Sequence, residues 1–217
     1  GVNTSAVHGP LPEKVAENFQ VEPGPFFATG ISIVIHPRSP WVPTFHANLR
    51  YFALGEDLFD PDDEWFGGGA DLTPYYPFLE DVRHFHDVWR EVCANHEVAD
   101  YEAYKKACDE YFYVAHREEA RGVGGLFFDY ERDRPEATFF FGRELARRFM
   151  DSYLPIVRAR KDRQYGARER HFQCRRRGRY VEFNLVYDRG TRFGLLTRGR
   201  TESILMSMPP NVEWRYD

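Results

Sequence analysis

Residues Thr44 to Leu54 alternate in a way that an extended chain satisfies and a helix does not. Ala47, Leu49, Tyr51 and Ala53 fall on one face, and His46, Asn48, Arg50 and Phe52 on the other. Gly30 to His36 repeats the pattern, with Ile31, Ile33 and Ile35 opposite Ser32, Val34 and His36. If the two runs pair through the connection from Pro37 to Pro43, both polar rows turn toward one cavity. Further strands are expected at Gly125 to Asp129, Tyr180 to Tyr187 and Arg192 to Leu196. The last two flank Asp188-Arg189-Gly190, which reads as a hairpin turn.

Between these runs the period changes. Phe78, Val82, Phe85, Trp89 and Val92 recur at three and four, predicting a helix over Phe78 to Ala94. A second is expected over Tyr101 to Glu119, and a third over about Arg143 to Lys161, where Pro155 should kink or split it. Hairpins at both ends with helices between them indicate an α+β fold, an antiparallel sheet covered by helices. The chain has 217 residues and no internal repeat or Ser/Gly linker. Short clusters, Gly67 to Gly69 and Pro209-Pro210 among them, read as turn punctuation within a single domain over 1–217.

Composition narrows the function. Aromatic residues make up 17%, which a disordered chain does not carry. The net charge of −5 argues against non-specific nucleic-acid binding. No apolar run is long enough to span a membrane, and no charged-then-apolar leader is visible. Cys93, Cys108 and Cys174 lack metal-site spacing and read as reduced structural thiols. Of the 29 basic residues 25 are Arg, a side chain that forks onto carboxylates as Lys does not, although an Arg-rich codon usage gives the same count.

His46, Asn48 and Arg50 form a row of hydrogen-bonding groups about 6 to 7 Å apart, suited to an extended polar ligand or to a solvated sheet face. Ser32 and His36 form a similar pair. The run Gly67-Gly68-Gly69 before Asp71 is either a ligand lip or a tight turn; it lacks the pattern of a phosphate loop. Asp71 is then a catalytic carboxylate or a helix N-cap, and local chemistry favours the cap. Arg198-Gly199-Arg200 is placed to clamp an anion. Arg117 and Arg121, four apart and read as sharing one helix, either bind a carboxylate or pair with Glu118 and Glu119. The basic stretch from Arg175 to Arg179 reads as a salt-bridged face. The histidines show no HxxxH or HExxH spacing.

Taken together, the stretches Gly1 to Ser5, Ile35 to Pro40, Pro43 to Arg50, Trp65 to Pro74, His116-Arg117, Arg121 to Asp129, Gly178 to Leu185 and Arg200 to Pro210 resemble the oxygen-dependent coproporphyrinogen III oxidases. The resemblance implies oxidative decarboxylation of two propionates of coproporphyrinogen III to vinyl groups, giving protoporphyrinogen IX in haem synthesis. It implies molecular oxygen as co-substrate without flavin or haem. It also implies a homodimer through roughly residues 180–210, built on a large curved antiparallel sheet flanked by α-helices on both sides. Relatives extend further at both ends, and some eukaryotic ones are mitochondrial, whereas the lack of a visible leader in this sequence favours the cytoplasm.

Residue by residue, the resemblance implies His46 as a proton donor and Asp71 as a carboxylate that holds the pyrrole nitrogens or takes a proton. Ser32, Asn48, Leu49, Arg50, Arg121, Arg198, Gly199 and Arg200 are then substrate contacts. His36, His46, His86 and His116 match positions assigned to a divalent metal whose requirement is disputed. Arg198 stands where members commonly carry glycine, which implies a clamp that is either more basic or differently shaped. Two rival readings use the same residues. One is a histidine-ligated iron or copper oxygenase, the other a porphyrin-binding module without catalysis.

Overall fold

The computed structural model describes residues 1–19, 22–55 and 64–215. The chain runs β1 (Val2–Pro10), α1 (Glu13–Phe19), β2 (Pro25–Ile35), β3 (Thr44–Leu54), β4 (Glu64–Thr73), α2 (Leu79–Ala94) and α3 (Tyr101–Tyr111). Then come β5 (Tyr113–Val114), a 3-10 turn (Ala115–Arg117), β6 (Glu119–Ala120), β7 (Gly124–Glu131), α4 (Pro135–Arg160) and α5 (Ala167–Val186). It continues with α6 (Arg189–Leu196), α7 (Thr201–Ile204) and a 3-10 turn (Leu205–Ser207). The main sheet is antiparallel with order β1-β2-β3-β4-β7, and β5 and β6 form a separate pair. The expected α+β class is borne out.

One face of the sheet carries the core. Phe45, Ala47, Leu72, Leu126 and Phe128 meet Phe85 and Trp89 of α2 and Phe141, Leu145 and Phe149 of α4. Full burial of each large apolar side chain contributes about 1.5–3 kcal/mol. β3 spans the expected residues because this one-sided burial is what its alternation records. The opposite face is covered near β7 by Phe112 and Phe183, and near β2 by α1 and Phe193. Between these two clusters lies the polar row of β3, half-buried. No helix among the described residues is long and apolar enough to cross a membrane.

Several expectations are corrected. Tyr180 to Tyr187 and Arg192 to Leu196 are helical, in α5 and α6. The inner face of α5 buries Gln173, Arg177, Tyr180 and Asn184 at helical spacing, but three of these are polar, so the apolar residues alone mimic a period of two. Asp188 does not open a hairpin: its carboxylate accepts from the Thr191 amide and caps α6. The second helix ends at Tyr111, and the chain turns through Glu118 at φ 54°, so Arg117 and Arg121 share no helix. The third starts earlier, at Pro135, and runs unbroken through Pro155. The Asp151 carbonyl, four residues before the proline and so deprived of its amide, instead pairs with His84 Nε2 at 3.0 Å. Gly67 to Gly69 lie inside β4 rather than in a turn, and Asp71, in the same strand, caps no helix.

Candidate active site

Register builds the site. His46, Asn48 and Arg50 of β3 lie opposite Val34, Ser32 and Gly30 of β2 on one side, and opposite Asp71, Gly69 and Gly67 of β4 on the other. The glycines leave space where neighbouring side chains would stand. A Cβ at Gly69 would also strike the Leu126 carbonyl of β7, so this close strand approach requires glycine. Over the row lies a cavity of about 490 Å³, walled by β1, the polar row and the 189–207 segment. That volume is in the range of small-molecule sites, about 300–1,000 Å³. Ser32, His46, Asn48, Arg50, Arg121, Gly199 and Arg200 all line it. Leu49 alternates to the other face and packs on the core. Arg198, at φ 56°, is not among the lining residues.

At one end of the cavity, His46 Nδ1 lies 2.5 Å from Asp71 Oδ1, and Arg121 Nη2 donates to Asp71 Oδ2 at 2.8 Å. Asp71 and Arg121 are each 3% exposed. The Arg121 guanidinium sits in an aromatic box, its carbon 4.0 Å from the Phe112 ring centre and 4.5 Å from that of Tyr180. Burial pushes the Asp71 carboxyl up, but Arg121 and His46 outweigh it and hold the group below the usual carboxylate range. Burial works against the Arg121 charge, and Asp71 reverses that and raises its pKa. Ionised Asp71 fixes the proton on Nδ1 of His46, which leaves Nε2 as the free ring nitrogen. Asn184 completes the set by accepting from Arg121 Nη1 at 3.0 Å. Both oxygens of Asp71 are thus committed to protein partners, and Asp71 itself does not line the cavity.

Further along the row, Arg50 donates to Asn48 Oδ1 at 2.8 Å and pairs with Asp129 at 2.8 Å. Arg189 reaches the other Asp129 oxygen at 3.2 Å. Arg200 is exposed at the mouth and, among the described residues, forms an ion pair only with Glu202, at 3.4 Å. This leaves its guanidinium available to an incoming anion.

The four histidines of the implied metal set are not brought together. His36 pairs with Thr44 and the Ser207 carbonyl, and His86 with Tyr101 and the Val123 carbonyl. His116 pairs with Tyr187 and Glu182. Each of these three spends both ring nitrogens on protein partners. Among the described residues no group of three His, Cys, Asp or Glu side chains is arranged to hold a metal ion. The residues present do not fit such a site within one chain.

His36 gives a pH prediction instead. Its burial, offset only in part by the Ser207 carbonyl, lowers its pKa from 6.5 to about 4. Between those values the unfolded chain binds a proton that the native ring refuses. The contribution is therefore full above pH 6.5 and is lost as pH falls toward 4, with a slope of up to about 1.4 kcal/mol per pH unit. Urea unfolding from pH 7 to 4.5 should show a steeper loss in the wild type than in His36→Gln. Parallel curves would overturn this assignment. Some slope should survive in the variant, because burial lowers the His86 pKa too.

Sequence reasoning missed Asp129, Arg189, Tyr111 and Phe127, which also line the cavity. Alternation in β7 was the available signal, since Phe127 and Asp129 share a face opposite the core residue Phe128.

Comparison with known proteins fits this arrangement. The family model described as "Coproporphyrinogen III oxidase" matches residues 1–217. An oxygen-dependent coproporphyrinogen-III oxidase of Coxiella burnetii is 54% identical over 218 residues, covering 99% of this chain and 70% of its own. One of Francisella philomiragia is 52% identical over 216 residues, covering 98% of this chain and 70% of its own. The chain belongs to the coproporphyrinogen III oxidase family.

Proposed function

We propose that the cavity receives coproporphyrinogen III and that the chain converts two of its propionates to vinyl groups with molecular oxygen, giving protoporphyrinogen IX. The observation that carries the reading is the buried His46–Asp71–Arg121 relay, opening on a cavity whose walls supply guanidinium groups. The substrate is a tetracarboxylate, and bidentate Arg is the natural partner for it. Arg50 and Arg200, with Ser32 and Asn48, bind and orient it. Arg121 is withdrawn from that role by Asp71.

The electrons come from the substrate. Conversion of a propionate to a vinyl group releases carbon dioxide and yields two electrons and one proton. Reduction of oxygen consumes two protons per electron pair, so the site must deliver one more. His46 relays protons here: Nε2 takes a pyrrole N–H proton, which leaves an electron-rich ring for oxygen, and passes it to the reduced oxygen. The pyrrole nitrogen regains a proton as the vinyl group forms, and solvent supplies the one additional proton per turnover. Asp71 acts through His46 as a positioning residue, and no metal, flavin or haem enters any step. We further propose a homodimer. Leu185, Val186, Leu195 and Leu196 stand 52%, 53%, 48% and 43% exposed on α5 and α6, an apolar surface that a second copy would cover.

The test is conversion of coproporphyrinogen III in air, under argon, and in air after exhaustive chelation, with chromatography of the oxidised porphyrins. Product that needs oxygen and survives chelation is the expected result. Activity lost on chelation and restored by one metal would overturn the metal-free mechanism, and binding without product would favour a non-catalytic module. The active preparation should sediment as a dimer; an active monomer would remove that part.

A further inference from the structure

We propose that Asp129 is the positioning residue for a substrate carboxylate, holding Arg50 and Arg189 as a pair open to the cavity. The inference rests on the porphyrinogen reading of the cavity. One Asp129 oxygen lies 2.8 Å from Arg50 Nη2 and the other 3.2 Å from Arg189 Nη2. Both guanidinium carbons lie over one ring, 5.7 and 5.8 Å from the centre of Phe127. Two cations against one anion leave a net positive charge facing the cavity, and each fork has N–H donors beyond those its described partners take up.

The backbone is shaped to make this bridge. Phe66 pairs with Glu131 and Gly68 with Phe128, so β7 carries one extra residue opposite Gly67. Such a bulge re-aims the side chains beside it. Here Tyr130 takes φ 57° and its amide donates to Asp129 Oδ1 at 3.1 Å. Gly67 makes the remaining space. A Cβ there would lie 2.6 Å from Asp129 Oδ1 and 2.8 Å from Arg50 Nη2.

Asp129→Asn keeps the shape but breaks the bridge, because an amide has one acceptor and would point its donors at the second guanidinium. Loss of an anion from the wall should by itself tighten an anionic substrate. Weaker binding is therefore the sign that positioning alone gives. We expect the Kd for coproporphyrinogen III, measured by dialysis under argon, and its KM in air, to rise about tenfold, with kcat falling less than threefold. In an Arg189→Gln background, where the pair no longer exists, Asp129→Asn should add less than twofold. Gly67→Ala, which leaves both charged groups in place and pushes them apart, should give the same rise in Kd if Asp129→Asn does not fold. An unchanged or lower Kd in the folded variants, or a full tenfold further rise in the Arg189→Gln background, would overturn the proposal. A wild type that binds the porphyrinogen but forms no product would sink the oxidase reading alone, since the shift in Kd needs no turnover.

Discussion

Replacing Asp71 by Asn should lower turnover by between about 10² and 10⁴-fold while coproporphyrinogen III still binds. The reason is the direction of one proton. Arg121 is a fixed donor, so the amide oxygen of an asparagine turns to it and the amide nitrogen turns to His46. A donor facing Nδ1 makes that nitrogen an acceptor and moves the ring proton to Nε2. The nitrogen that should take a proton from the substrate then already holds one. Binding survives because Ser32, Asn48 and Arg50 do not touch Asp71 directly. Equilibrium dialysis under argon and a turnover assay in air separate the two quantities. Near-normal turnover from folded Asp71→Asn would remove Asp71 from the mechanism, and equal loss of binding and turnover would make it a structural residue only.

The parts of this molecule that were legible in the sequence are those where one face is apolar and the other is not. β3 and α2 met that condition, and their limits fell where alternation and helical spacing begin and end. α5 did not, because Gln173, Arg177 and Asn184 occupy its buried face and bond to Pro37, Tyr75 and Arg121. No hydrophobicity count recognises a buried polar network as interior. β1 went unseen for a related reason: it is an edge strand, mostly exposed, and polar Asn3, Thr4 and Ser5 border the cavity, so no buried apolar face reveals it. β4 hid behind its glycines, which signal a turn in isolation and a close strand approach only once β7 is in place.

The site divides the same way. The row of His46, Asn48 and Arg50 follows from a period of two and needs nothing distant. The meeting of His46 with Asp71 depends on the register of β3 with β4, and that of Asp71 with Arg121 on a loop that pins Val123 to the Leu72 carbonyl and to His86. Local pattern carries no information about either. His86, a position that the resemblance implies as a metal ligand, fastens the loop beside Arg121 through the Val123 carbonyl.

Arg121→Met should destabilise the fold by about 3–5 kcal/mol, the usual cost of stranding one member of a buried ion pair. The side chains of Arg121 and Asp71 are 2% and 4% exposed, so solvent cannot replace the lost partner. A thioether in the aromatic box of Phe112, Tyr180 and Phe183 keeps the apolar contacts of the stem, so the loss reports on charge rather than on a void. His46 is only a partial substitute, since it must share its single Nδ1 proton with a carboxylate built for two donors. The double replacement Asp71→Leu with Arg121→Met should recover most of the loss, because well-packed apolar groups commonly replace a buried ion pair at little cost. Urea unfolding near neutral pH measures both. A loss under 1 kcal/mol in the single variant would mean that water reaches the pair in solution. If the double variant is as unstable as the single one, the pair is itself a pillar of the fold. If it regains stability but makes no product, the buried charges are kept for their hold on His46, and stability is what the chain gives up to retain them.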